Sequence, residues 1–289
     1  MRVIRPQDIA VQKKPKKKRL VTRVLVVVLL FGGLGFAGYR YYNAVQPKPS
    51  AQPAPQPQAN EIVKDTPKTG AFKTYSGDEF IELAQSVRYP NTQSFEVMPP
   101  IMGNEAADKR IRELAEKRGY RLTSIPVSPI EKLNEPRLDS DDLLQPLAAQ
   151  GWRELKTAAE RDQMPISLLS AYRSPEFQRS LFASRLSQAG ATVTTVAAGK
   201  ADAIVESVLT TTAVPGFSRH HTGYTIDLWC EDGSAQFVDS TCFDWISKDN
   251  YKIAKETGWI PSYPEGAKLQ GPEPEPWEYV WVGQDTLRD

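Results

Sequence analysis

The chain has 289 residues, 40% of them apolar and 25% charged, which allows one sizeable domain with extensions. Its net charge of +1 hides an asymmetry: residues 1–45 hold ten Lys/Arg against one acidic residue, so the remainder carries −8. An acidic globular part without a basic stripe argues against a nucleic-acid partner.

Taken in chain order, residues 1–19 read as a basic cytoplasmic tail. Residues 20–42 read as a transmembrane helix. Their uncharged run, Val24 to Tyr39, would rise about 24 Å as a helix, and Leu20–Thr22 with snorkelling arginines extend it. Tyr39, Tyr41 and Tyr42 suit the far interface, and the lysines belong on the cytoplasmic side. The expectation is a single-pass anchor in the cell membrane with the C-terminal part extracellular or periplasmic; a cleaved signal peptide is the alternative. Residues 43–69 form a Pro-rich linker, with Pro47, Pro49, Pro53, Pro55 and Pro57 among Gln, Ala, Lys and Ser. Such a segment is either an extended spacer holding the domain off the membrane or a linker of no functional length.

Residues 70–289 read as one domain. Ala106–Lys117 predicts a helix stopped near Gly119. Asp141–Arg161 has apolar residues at helical spacing, with Gly151 expected to divide it in two. Pro165–Ser170 predicts a strand, and Pro175 opens a helix over Glu176–Leu186. A helix is expected over Ala197–Leu209, a strand over Tyr224–Trp229, a helix over Phe243–Thr257 and a last strand over Tyr279–Val282. The class is α+β, a small antiparallel sheet with flanking helices. Cys230 and Cys242 can pair if the domain is exported; two separate buried thiols are the other reading.

Three constellations bear chemistry. Ser218-Arg-His220-His-Thr-Gly223-Tyr-Thr-Ile-Asp227 contains both histidines of the chain. His and Asp are ligands for a borderline divalent metal, yet alone the pattern also fits a capped turn with a satisfied histidine. Glu275-Pro-Trp-Glu278 offers two carboxylates at i and i+3, or solvated charge in an acidic run. Ser170-Ala-Tyr-Arg173-Ser places an arginine where it could meet a developing oxyanion, or simply form a surface ion pair.

In order and spacing, the segments SAYRS (170–174), SRHHTGYTID (218–227), GWIPSYP (258–264) and EPWEYVWVG (275–283) resemble the VanY-type D-alanyl-D-alanine carboxypeptidases, zinc peptidases of peptidoglycan stem peptides. The resemblance spans roughly residues 125–283 and implies a zinc-peptidase cleft. It implies His220 and Asp227 as ligands of one Zn²⁺, Glu275 as the general base and Arg173 as the group facing the scissile carbonyl oxygen. It further implies substrate-binding roles for Ser218, Tyr172 and Gln178.

One position departs from the family pattern. Glu278 stands where the family has its second histidine ligand, and Val280 where an arginine is frequent. Glutamate can ligate zinc through oxygen, but it lowers the charge of the site by one unit. A less positive site polarises water less, which suits a slower enzyme, a harder divalent metal such as Mn²⁺, or a relative without turnover. His221, next in sequence to His220, would point to the opposite face of an extended chain and is expected to be a helper hydrogen bond or a surface imidazole.

The expectation is a membrane-anchored metallopeptidase hydrolysing the terminal D-Ala–D-Ala bond of stem peptides. The alternatives are a peptidoglycan-binding module that has lost turnover and an endopeptidase cutting within the stem peptide.

Overall fold

Period-2 alternation in a single strand sets the plan of the molecule. In Thr225–Cys230, Ile226 and Leu228 point to one face and Asp227 to the other. The apolar pair enters a core; the carboxylate faces the site. This computed structural model describes residues 70–128, 130–135 and 142–289, which fall in one compact unit. The expected tail, transmembrane helix and linker all lie outside the described residues. Among the described residues, no helix is long and apolar enough to cross a membrane.

The elements in chain order are α1 (Gly77–Ser86), β1 (Thr92–Ser94), α2 (Glu105–Arg118), β2 (Ser124–Pro126), β3 (Glu131–Lys132), β4 (Leu143–Leu144), α3 (Pro146–Arg161) and β5 (Ile166–Ser170). They continue with α4 (Pro175–Gln188), α5 (Val193–Ala197), α6 (Asp202–Leu209), a 3-10 turn at Arg219–Thr222, β6 (Thr225–Cys230), α7 (Thr241–Lys255), β7 (Trp259–Tyr263) and β8 (Glu275–Trp281). The main sheet has four antiparallel strands in the order β5-β6-β8-β7. The α+β class therefore holds.

One face of the sheet is closed by α3 and α7. Trp152, Leu155 and Ile246 from these helices pack with Ile226, Leu228, Trp259 and Tyr279. Each fully buried large side chain contributes about 1.5–3 kcal/mol. A second core joins α2, α4, α5 and α6 through Ile111, Phe182, Leu186, Val196 and Val205. In a third, Phe80 and Ala84 of α1 meet Ile260, Val280 and Val282.

Several expectations are corrected. Gly151 does not divide a helix, because α3 runs unbroken from Pro146 to Arg161. The glycine serves packing: a Cβ there would lie 2.7 Å from the Thr257 carbonyl and the Trp281 indole. The helix expected over Ala197–Leu209 begins only at Asp202, as α6; Ala197 is the last residue of a separate short helix, α5, and Gly199, with φ +69°, lies between them. α7 is also broken, with Asp249, Asn250 and Tyr251 all left-handed. There Asn250 exchanges two hydrogen bonds with the backbone of Tyr75, at 2.9 and 2.8 Å. The expected cysteine pairing, by contrast, holds: Cys230 and Cys242 are disulfide-bonded, with Cα atoms 5.8 Å apart.

Candidate metal and hydrolytic site

His220 lies in the 3-10 turn between Ser218 and Gly223, whose φ of +73° a side chain would disfavour. Its ring is buried, and Nδ1 donates to the Ala171 carbonyl at 2.6 Å. That bond leaves Nε2 to face the site. Nε2 is 3.3 Å from Asp227 Oδ1 and 3.3 Å from Glu278 Oε2, without hydrogen-bond alignment to either.

Strand register explains why two carboxylates meet there. Asp227 of β6 and Glu278 of β8 are direct cross-strand partners, so their side chains share a face. Like charges placed opposite one another are unfavourable unless a cation lies between them. Glu275, three residues earlier on β8, would alternate to the other face in a regular strand. The ladder is irregular there: β7 advances from Pro261 to Tyr263 while β8 retreats from Tyr279 to Glu275. The extra residues form a bulge that turns Glu275 back toward Glu278. A second irregularity, between Leu168 and Ser170 of β5, sets Ser170 opposite Asp227 and brings Arg173 over the site.

Arg173 is held on three sides. Nη2 donates to Ser170 Oγ at 3.0 Å, Nη1 donates to Gln178 Oε1 at 3.2 Å, and Asp227 Oδ2 is 3.5 Å away. Gln178 is itself fixed by donating to the Ala213 carbonyl at 2.6 Å. Arg173, Gln178, Ser218, Glu275 and Glu278 line one cleft of about 40 Å³, room for a water or an ion. Gln178 therefore positions Arg173 as well as facing the cleft. Tyr172 is not among the residues lining it; its backbone N–H is committed to the Leu143 carbonyl at 3.0 Å.

The charges are strongly perturbed. Burial pushes the Glu275 carboxyl well above the usual carboxylate range, and the neighbouring Glu278 and Asp227 push it further. Glu278 is held down at about 2: burial raises it, and His220, the Ser262 hydroxyl and Arg219 outweigh burial. Burial lowers His220, yet attraction to the carboxylates, Asp227 foremost, carries it up to about 9. The Glu275 proton is held by burial and by the crowding of carboxylates, so a cation placed among them would release it and leave Glu275 free to act as a base.

The donor set fits a divalent metal ion. His220, Asp227 and Glu278 each bring one ligand atom, all within 4.8 Å of one another and all buried. His220 Nε2 and Asp227 Oδ1 are buried atoms without a hydrogen-bond partner, pointed at a shared position. One nitrogen and two oxygens match zinc and also harder divalent ions.

His221 is no surface imidazole; it is fully buried. Its segment is a 3-10 turn rather than extended chain, and the two rings diverge from it. Nδ1 donates to the Arg173 carbonyl at 2.6 Å, and Nε2 accepts from the Gly216 N–H at 3.1 Å. Burial pushes its pKa down to about 3, which keeps the ring neutral with both nitrogens used. Ser262, donating to Glu278 Oε1 at 2.5 Å, is a site residue that sequence reasoning missed, although it lies inside the GWIPSYP segment.

The sequence model of the VanY family, D-alanyl-D-alanine carboxypeptidase, matches residues 141–284. The chain belongs to the VanY family. The match starts later than the expected residue 125 and covers every candidate site residue. The family is one of hydrolases acting on peptidoglycan peptides. Among curated proteins none matches the chain. Solved structures resemble it distantly. The LdcB LD-carboxypeptidase is 22% identical over 54% of this chain and 67% of its own, with a TM-score of 0.41. A vancomycin-resistance D,D-pentapeptidase VanY, solved with Zn(II), is 22% identical over 58% and 90%, with a TM-score of 0.38. DacB from Streptococcus pneumoniae D39 is 23% identical over 58% and 84%, with a TM-score of 0.39. Family membership rests on the sequence match rather than on these.

Proposed function

We propose that the protein is a metal-dependent carboxypeptidase that removes the terminal D-alanine from peptidoglycan stem peptides ending in D-Ala–D-Ala. The observation that carries this reading is convergence. His220, Asp227 and Glu278 face one point, with Glu275 and Arg173 at the same cleft. His220, Asp227 and Glu278 would hold the ion. When bound, a divalent ion polarises a carbonyl and makes water more acidic.

The chain's own groups do the rest. Arg173, fixed by Ser170 and Gln178, presents its guanidinium to the scissile carbonyl oxygen and to the oxyanion that forms there. Glu275 takes a proton from the attacking water and returns it to the departing amine as the C–N bond breaks. Water's oxygen ends in the new carboxylate, and both of its protons end on the amine, which leaves as an ammonium group. Ser218 and Gln178, at the cleft wall, contact the peptide.

The reading extends to location. Residues 20–42 anchor the chain in the cell membrane, and residues 43–69 hold the domain off its outer surface, facing its substrate. The Cys230–Cys242 bond supports export to an oxidising compartment.

One observation favours a second reading, a peptidoglycan-binding module without turnover: Glu278 stands at the position of a histidine ligand. D-alanine release from a peptide ending in D-Ala–D-Ala separates the two. The wild-type protein is expected to release D-alanine, and Glu275→Gln to lose about 10²–10⁴ in kcat while still binding the peptide. Full activity in Glu275→Gln would refute the assigned mechanism. Peptide binding without release by wild type would favour the binding module.

A further inference from the structure

The carboxylate that replaces a histidine has its own support. Ser262 lies on β7 and is fully buried. Its hydroxyl donates to Glu278 Oε1 at 2.5 Å. The direction of that bond is settled by Arg219, whose Nη1 donates to Ser262 Oγ at 3.0 Å and to the Ser262 carbonyl at 2.6 Å. Guanidinium cannot accept, so the serine proton points to the carboxylate. Arg219 precedes His220 in the same 3-10 turn, and its guanidinium lies 4.4 Å from the centre of the Tyr263 ring. Arginine, serine and glutamate thus form one chain of hydrogen bonds ending at the proposed metal position.

Two consequences follow. With Oε1 occupied, Glu278 offers a single atom, Oε2, toward His220 Nε2, much as an imidazole offers one nitrogen. Moreover, a carboxylate in place of a neutral imidazole removes one positive unit from the site, and Arg219 restores one nearby. We propose that Ser262 and Arg219 are positioning residues that make Glu278 a one-oxygen, charge-balanced substitute for a histidine ligand. This inference rests on the metal-site reading above.

The test is Zn²⁺ affinity, measured by competition with a chromogenic chelator on the intact protein. Ser262→Ala and Arg219→Gln are expected to weaken binding about 10–100-fold, the usual cost of losing a group that orients a ligand. In a Glu278→His background the same substitutions should change it by less than about threefold, because no Oε1 remains to be held. Equal losses in both backgrounds, or none in wild type, overturn the inference. Should the Glu278→His protein not fold, Ser262→Thr and Ser262→Val replace it. The two add the same bulk and differ in the hydroxyl, so Thr should bind at least tenfold tighter than Val. Equal affinities overturn the inference. The two readings fail differently: absence of any Zn²⁺ binding by wild type removes the metal site itself, whereas normal binding that ignores Ser262 removes only its role.

Discussion

His221 shows how a residue can serve a site without touching its ligand. It joins the Arg173 carbonyl to the Gly216 N–H, so the ring fixes the backbone from which the arginine projects. Replacing it with Phe leaves a buried acceptor and a buried donor unpaired, at about 1–3 kcal/mol each. Urea unfolding of His221→Phe should show that loss, and kcat should fall with it as Arg173 shifts; an unchanged midpoint would contradict the role. Adjacent histidines were legible as a pair, but their division of labour was not, since it depends on a 3-10 turn rather than an extended chain. Away from the site, Asp162 ties α3 to α7. Its carboxyl accepts from Arg161 at 2.8 Å and from the Trp245 indole at 3.0 Å. Arg161 first, then Trp245, hold it at about 2, below its ordinary 3.8. A depressed carboxyl stabilises the fold above its unfolded pKa, and that stability is lost as pH falls through the folded value. Wild type should therefore resist urea better than Asp162→Asn near neutrality. The gap should close between pH 3.8 and about 2; a gap that persists into that acid range would contradict the assignment.

At the scale of elements, α3 poses a contest between propensity and packing. Alanine is better than glycine in a helix interior by roughly 0.5–1 kcal/mol. At Gly151, however, a Cβ would meet the Thr257 carbonyl and the Trp281 indole at 2.7 Å. Overpacking of that kind costs about 1–3 kcal/mol, so Gly151→Ala should lower Tm, and a rise would mean that β8 can yield. Sequence pattern placed α2 well because its signals are local: Asn104 caps the start and Gly119, at φ +102°, ends it. It did not reveal β7, whose five residues are all buried and include Pro261, so no alternation shows. The proline is tolerable because β7 is an edge strand. Likewise Glu275–Glu278 read equally well as solvated charge, because a bulge that returns i and i+3 to one side leaves no mark in the local pattern. Only resemblance to a family joined those residues to His220. The helix α1 was missed although Ser76 and Glu79 form a capping box ahead of Phe80 and Ile81.

At the scale of the molecule, residues 70–128 precede the family match and still belong to the same packed unit. They brace the site from outside. Thr123 donates to the Gly216 and Ser218 carbonyls at 3.1 and 3.2 Å, steadying the loop that leads into His220. Tyr75 is clasped by Asn250, and α1 covers Ile260 and Val280, on the sheet face that carries Glu278. None of this was legible beforehand, because these are contacts between distant segments. On the proposed reading, this scaffold brings His220, Asp227 and Glu278 to one divalent ion. The most direct measurement is an anomalous difference map, recorded at the zinc edge from crystals of the protein grown with Zn²⁺. The predicted result is one peak about 2.0–2.2 Å from His220 Nε2, an Asp227 oxygen and Glu278 Oε2. A map with no peak there, or a peak held by His220 and Asp227 while Glu278 turns away, would contradict it.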